Sequence, residues 1–271
     1  MALRIQNNVE AFNAWRNLSM SSTGLSKSME RLSSGYRINR AADDAAGLAI
    51  SEKLRAQIHS LSQAQRNAQD AISLVQTAEG AMQEVNTMLS RVRDLAVQYN
   101  NGTLSASDKA ALTAEVAQLC NEISRISSQT KFNGISLLSG GASITFQVGA
   151  DDGQTLTVAA RNLFGSGTTN DVDSSIFTFS GTVALASIDG AIANVSTARS
   201  SFGSVQNRLD HTLNNLSSYE ENLQSSESRI RDVDMASEMV QFTKYQILQQ
   251  AGTSMLAQAN AAPQSVLSLL R

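Results

Sequence analysis

Proline is nearly absent: among 271 residues it occurs once, at Pro263. Proline breaks helix interiors, so its scarcity leaves very long helices open to the chain. Aromatic residues are also few, at 5%. Alanine, serine, leucine, glutamine and asparagine take their place. Small side chains let helices approach closely but build a thin core, which points to elongated helical bundles rather than a globule. Cysteine occurs once as well, which excludes an internal disulfide. Cys120 lies in "QLCNEI" among helical apolar positions and reads as a buried, inert thiol rather than a nucleophile. The two histidines, His59 and His211, are far apart and have no second ligand nearby. The net charge of -3 is spread along the chain, without the basic block of a nucleic-acid binder or the polybasic face of a membrane binder. No run approaches the roughly 20 apolar residues of a membrane span. The opening "MALRIQNNVEAFNAW" has no apolar core of signal-peptide length. The expectation is a chain that stays in the cytosol or leaves by a route that reads no cleavable signal.

What the chain does have is heptads. Alternating steps of three and four from Leu61 meet Ala64, Ala68, Ala71, Val75, Ala78, Met82, Val85, Leu89, Val92, Ala96 and Tyr99, all apolar. The residues between are mostly polar, which is a coiled-coil pattern. "YNNGT" then ends the helix, with Asn100, Asn101 and Gly102 suited to a left-handed cap. A second helix is expected from about Ser105, where "SASD" resembles a capping box, with a seam of Leu112, Val116, Leu119, Ile123 and Ile126. "TKFNGISLLSGG" stops it. A third seam runs from Ile188 through Val195, Phe202, Leu209, Leu216 and Leu223 to Val233, interrupted only by Thr212 and Ser226. At about 1.5 Å per residue it extends about 68 Å and needs partners, which the first two helices can supply.

Between these helices, "ITFQVGADDGQTLTV" alternates at period two on either side of "ADDG" and reads as a β-hairpin near 143–159. The Gly/Ser/Thr-rich segment near 160–185 reads as a short variable loop with room for one strand, and as the natural place for an insertion. Both chain ends read as helical. One stripe holds Ile5, Val9 and Phe12 and continues through Leu25, Met29 and Leu32. The other holds Met235, Met239, Phe242, Ile247, Leu248, Ala251, Met255 and Leu256. The two are expected to pair, with little core between them and marginal stability alone.

Evidence for chemistry is thin. The chain contains no phosphate-cradling G-x-x-x-x-G-K-[ST] loop, no G-x-G-x-x-G, no G-x-S-x-G elbow and no Cys/His metal spacing. Asp43 and Asp44 suit a helix N-terminus, and Asp151 and Asp152 suit a hairpin turn. The sequons at Asn17, Asn194 and Asn215 fall in helical patterns rather than loops. "GYRINRAADD" then reads as a connector between a terminal helix and the long heptad helix. "SRIRDVDMASE" is its counterpart where the third seam meets the C-terminal helix. An antiparallel arrangement brings the connectors level. Arg37 and Arg40 are then expected to pair with Asp232 or Asp234, and Arg229 or Arg231 with Asp43 or Asp44. Such exposed pairs set geometry more than stability.

"LSSGYRINRAADDAAGLAISEKLRAQI" closely resembles the signature of bacterial flagellin. So do "RNAQDAISLVQTAEGAM", "LSRVRDLAVQ", "TKFNGISLL", "FQVGADDGQT", "RIRDVDMASEM", "QILQQAGTSMLAQAN" and "PQSVLSLLR". The resemblance spans almost the whole chain apart from about 160–185. It implies a mainly α fold: an elongated helical coiled-coil bundle with a small β-hairpin, and terminal helices forming an inner coiled coil. The implied domains are 1–40 with 235–271 as the filament-core domain, and 41–234 as the bundle. The chain resembles a minimal form that lacks the outer variable domains of longer relatives. The implied function is polymerisation into a hollow extracellular filament, the propeller of motility, with no enzyme activity and no cofactor. Type III export without a cleavable signal is implied too. The implied partners are further copies of the chain, the flagellar cap, an export chaperone and hook-junction proteins, with no nucleic acid and no membrane. "LSRVRDLAVQ" also resembles the patch read by the host Toll-like receptor 5, and Arg91, Leu95 and Glu115 fall on its positions. Asp94 stands where glutamate is commoner in the family. Arg91 and Glu115 also suit subunit packing. A hook–filament junction protein is the nearest alternative, though the ending "AAPQSVLSLLR" favours the filament. An enzyme on a helical scaffold lacks a convergent catalytic set, and an adhesin lacks a larger insert.

Overall fold

A computed structural model describes residues 8–140, 142–163, 172, 174–179 and 183–269, leaving aside the side chains of 174, 175 and 262–269. In chain order the elements are α1 (Val9–Ser34), α2 (Ala45–Tyr99), α3 (Ala106–Gln129), β1 (Lys131–Phe132), β2 (Ile135–Ser136), β3 (Ile144–Gln147), β4 (Thr155–Val158), a 3-10 turn (Ser174–Phe177), α4 (Leu185–Arg231) and α5 (Met235–Leu269). Residues 57–221 form one compact unit, and residues 1–56 with 222–271 form another. This division falls inside α2 and α4 rather than at the connectors.

The larger unit is organised by the heptad seam of α2. Every seam residue from Leu61 to Ala96 is buried, and Tyr99 at the end is half-buried. The α4 seam is buried from Ile188 to Leu216, with Val205 and Thr212 half-covered, and then fades. Tyr219 is exposed, and α4 ends at Arg231, so Val233 lies in the connector. From α3, Val116 and Ile123 enter the same core, and Leu112, Leu119 and Ile126 pack against it. The α3 start is a capping box. Ser105 Oγ accepts from the Asp108 N–H, and the Asp108 carboxylate accepts from the Ser105 N–H.

The hairpin at 144–158 forms as the period-two pattern implies, with Ile144 opposite Val158 and Phe146 opposite Leu156. Its apolar face meets the helices. Ile144 and Val158 share surroundings with Leu74, Ala78, Leu137 and Phe202. A second hairpin, β1 with β2, occupies the segment that reads in sequence only as a helix stop. Asn133 and Gly134 sit at φ 47° and 79° in its two-residue turn, the left-handed pair that such a turn requires.

Two expectations change here. None of Asn100, Asn101 and Gly102 takes a left-handed φ, so α2 has no left-handed cap. Instead the Asn100 carboxamide reaches the backbone of Val183. It donates to the carbonyl and accepts from the N–H, each at 3.0 Å. Over its described residues the segment near 160–185 is not a free loop, and those residues carry a 3-10 turn rather than a strand. Val172, Ile176, Phe177, Phe179 and Val183 are buried in the bundle core. Phe179 packs edge-on against Tyr99 with ring centres 5.3 Å apart. Five apolar side chains in a Gly/Ser/Thr-rich background suffice to hold it as a strap. Ser and Thr residues between 166 and 171, in the part expected to vary, lie outside the described residues.

Candidate functional site

Among the described residues no group of His, Cys, Asp and Glu is arranged to hold a metal ion, and no helix is long and apolar enough to cross a membrane. Cys120 is half-buried, and burial pushes its thiol pKa up, away from the reactive thiolate. Three features remain to be weighed: the connectors, the Arg91 patch and the terminal helices.

The two connectors do meet, but through the backbone. Tyr36 and Asp232 form an antiparallel bridge. The Arg37 N–H donates to the Arg231 carbonyl at 2.7 Å, and the Val233 N–H donates to the Gly35 carbonyl at 3.0 Å. Gly35 caps α1 at φ 75°, and Ile38 is buried beneath the turn. The expected Arg–Asp pairs across the connectors do not form. Arg37 instead donates to the Ile230 carbonyl at 2.6 Å, at the C-terminal end of α4, where unpaired carbonyls attract a cation. Arg40 pairs with Glu30 at 3.0 Å, and Arg231 pairs with Glu52 at 2.8 Å while lying 4.7 Å from the centre of the Tyr36 ring. Arg229 stays on its own helix, donating to Ser225 and Ser226.

Two of the aspartates serve helix starts. Asp44 accepts from the Gly47 N–H at 2.8 Å and so caps α2; Asp234 accepts from the N–H groups of Ala236 and Ser237 and so caps α5. Asp43 accepts from the Asn39 and Arg40 N–H groups and pairs with Lys27 at 2.7 Å. The Lys27 ammonium holds the Asp43 carboxyl below the usual range, and the Arg231 guanidinium does the same for Glu52. For Arg37, Asp44 and Asp234 the unpaired backbone groups of helix termini take the place of a second side chain, while Arg40, Asp43 and Arg231 pair with other side chains. The cluster is therefore a joint that fixes backbone geometry.

The structure brings Arg91 and Glu115 together. The Arg91 Nε and Nη2 both donate to Glu115 Oε1, at 2.9 and 2.7 Å, on an exposed face of α2 and α3. Leu95 is not on that surface; it is buried in the bundle core.

The terminal helices are different. α1 runs antiparallel along α5. Asn8 donates to the Ala259 carbonyl at one end, and Arg31 pairs with Glu238 at the other, at 3.5 Å. The covered positions of α1 step by three and four through Ala11, Ala14, Leu18, Ser21, Leu25, Ser28 and Leu32. Those of α5 step through Glu238, Phe242, Tyr245, Gln249, Gly252, Leu256 and Ala259. This seam is made largely of small and polar residues. The large apolar residues point outward: Phe12 is 65% exposed, Trp15 60%, Val240 68% and Met255 63%, with Val9, Met20, Met29, Met239, Ile247 and Leu248 also exposed.

The stripes expected from the sequence are thereby split. Leu25, Leu32, Phe242 and Leu256 face inward, while Val9, Phe12, Met29, Met235, Met239, Ile247, Leu248 and Met255 face outward. Ala251 is exposed as well, and Ile5 lies outside the described residues. Trp15, three residues after Phe12, was recoverable from that spacing alone. So many large apolar side chains on one pair of helices mark an interaction surface rather than scattered exposure.

Comparison with known proteins bears on what covers that surface. The model of the bacterial flagellin N-terminal helical region matches residues 5–143, and that of the C-terminal helical region matches residues 185–270. A flagellin of Halalkalibacterium halodurans is 50% identical over 270 residues, covering 98% of this chain and 99% of that protein. A flagellin of Bacillus subtilis is 45% identical over 304 residues, covering 99% and 100%. The solved structure of a protein described as flagellar hook-associated, from Vibrio parahaemolyticus, superposes with a TM-score of 0.59 over 70% of this chain and 100% of its own. At 18% identity that likeness speaks for the fold alone.

Proposed function

The chain belongs to the bacterial flagellin family, and from that membership we propose that the outward apolar faces of α1 and α5 are where its copies pack into the flagellar filament. The protein is a structural subunit of that filament, as its relatives are named. One observation carries the packing reading. The α1–α5 pair takes Leu25, Leu32, Phe242 and Leu256 inside among small and polar residues, yet still presents Phe12, Trp15, Val240, Ile247 and Met255 to solvent. Burying such side chains between copies supplies the drive for assembly, at roughly 25 cal/mol per Å² of apolar area. Ordering of the ends opposes it.

The subunit acts outside the cell, is exported through the type III route, and has no catalytic role. It meets the cap, an export chaperone and the junction proteins on the way. The terminal helices, about 1–40 and 235–271, form the filament core and 41–234 the bundle. Nothing in the molecule favours the hook-junction reading over this one.

Phe12→Gln and Ile247→Gln test the packing surface, since both positions are exposed and outside the bundle core. Under salting-out conditions the wild-type chain is expected to form long uniform tubes by electron microscopy. Each variant is expected to keep its helicity and form none. Tubes at wild-type concentration from both variants would place the contact elsewhere.

The exposed Arg91–Glu115 pair also supports recognition by Toll-like receptor 5, with Leu95 acting beneath it as packing. Arg91→Ala or Glu115→Ala is expected to weaken receptor reporter signalling by the free monomer. Undiminished potency in both would remove the pair from the receptor surface.

A further inference from the structure

Each terminal helix carries one glycine that receives a side chain of the other, and we propose that Gly24 and Gly252 fix the register in which α1 and α5 pair. The inference rests on the filament reading for its functional weight, but its geometry belongs to the subunit. A Cβ placed on Gly24 would lie 2.7 Å from two atoms of the Tyr245 ring. A Cβ placed on Gly252 would lie 3.2 Å from Leu18 Cδ1 and 3.6 Å from Leu18 Cβ. Each helix thus gives one large side chain and takes one.

Neither glycine is needed for backbone shape, because neither has a positive φ. Glycine inside a helix costs about 1 kcal/mol relative to alanine, so helix formation does not favour it there. Gly80, Gly190 and Gly203 are helical too, and nothing lies within 4 Å of a Cβ added to them. Gly47 is crowded as well, but by Asp44 and Ile38 of its own connector; Gly24 and Gly252 each receive a side chain from the opposite terminal helix.

The contacts define an alignment. With Leu18 opposite Gly252, Ser21 stands opposite Gln249, Leu25 opposite Tyr245 and Ser28 opposite Phe242. Leu18 with Gly252 and Ser28 with Phe242 set large against small, Ser21 with Gln249 is a polar level, and the Tyr245 ring beside Leu25 is accommodated at Gly24. Sliding α5 by one heptad in one direction sets Leu18 against Tyr245 and puts Asn17, which has a Cβ, in the place where Gly24 receives the ring. Sliding it the other way sets the two glycines against each other and leaves the Tyr245 ring without its gap. Either slip also separates Arg31 from Glu238. An apolar seam of uniform leucines would tolerate such slips; paired notches do not.

The test is disulfide trapping in the full chain carrying Cys120→Ser. Gln249→Cys is held constant and combined in turn with Ser21→Cys (the aligned partner), Ala14→Cys and Ser28→Cys (the heptad offsets). Brief oxidation is read both in dilute solution and in sedimented polymer. The aligned pair is expected to dominate both offsets. Gly24→Ala is expected to reduce the aligned yield and to raise the concentration needed for polymer about tenfold, as overpacking does. Adding Tyr245→Ala to Gly24→Ala is expected to restore the aligned yield, while Gly80→Ala changes nothing. Wild-type trapping and assembly in Gly24→Ala and Gly252→Ala would overturn the proposal, as would equal damage from Gly80→Ala. Failure of the wild-type chain to form any polymer would instead strike at the filament reading, and the trapping in solution would still report the register.

Discussion

The carboxamide of Asn100 bonds both backbone groups of Val183, much as a neighbouring strand would. It ties the strap that carries Phe177 and Phe179 to the end of α2. Removing it leaves a buried N–H and carbonyl unpaired. Asn100→Ala is expected to destabilise the bundle by about 1–3 kcal/mol in a denaturant melt of the full chain. A midpoint within error of the wild type would show that the strap is held by its apolar residues alone. At this scale the sequence was only partly legible. "YNNGT" signals a helix end, and α2 ends there, but no local pattern foretells that Asn100 bonds a residue 83 positions away. The connector charges teach the same lesson. Their meeting follows from the antiparallel order of the seams, yet Arg37 and Asp44 each bind backbone at a helix end, because those groups are unpaired there by construction of the helix. The Asn133–Gly134 turn was readable from its dipeptide alone and marks a hairpin that a helix-stop reading overlooks.

Among the elements, the long helices were the most legible. Eleven α2 positions at steps of three and four, from Leu61 to Ala96, are all apolar and all buried. The terminal helices were legible as helices but not by face. A search for apolar periodicity selects Val9, Phe12, Met29 and Met255, which the folded chain leaves outside. Their true seam interleaves Leu18, Leu25, Leu32, Phe242, Tyr245 and Leu256 with small and polar residues, which dilutes its hydropathy signal. Two helices joined by such a seam bury little apolar surface against the entropy of ordering them, so their pairing is marginal in a free monomer and samples its aligned register only part of the time. The bundle, by contrast, buries its seams within one chain. Deleting residues 1–33 and 240–271 is therefore expected to leave a soluble helical monomer that melts cooperatively by circular dichroism and leaves no pellet under filament-forming conditions. Ordered filaments from the truncated chain would show that the ends are not the assembly element.

At the scale of the whole molecule, one chain folds two regions by different rules. Residues 57–221 close around their own core. The α1–α5 pair leaves a set of large apolar side chains facing solvent, the surface proposed to be covered by neighbouring copies. The chain carries its own reporter of that step. Trp15 is its only tryptophan, and it lies on the outward face of α1 at 60% exposure. The most direct measurement is Trp15 emission and its quenching by iodide, followed in the full-length wild-type chain as it passes from monomer to sedimented filament. Burial between copies should shift the emission to the blue and abolish most of the quenching, in step with the appearance of polymer. Filaments whose Trp15 emits and quenches like that of the monomer would contradict the outward faces of the terminal helices as the surface on which the subunits meet.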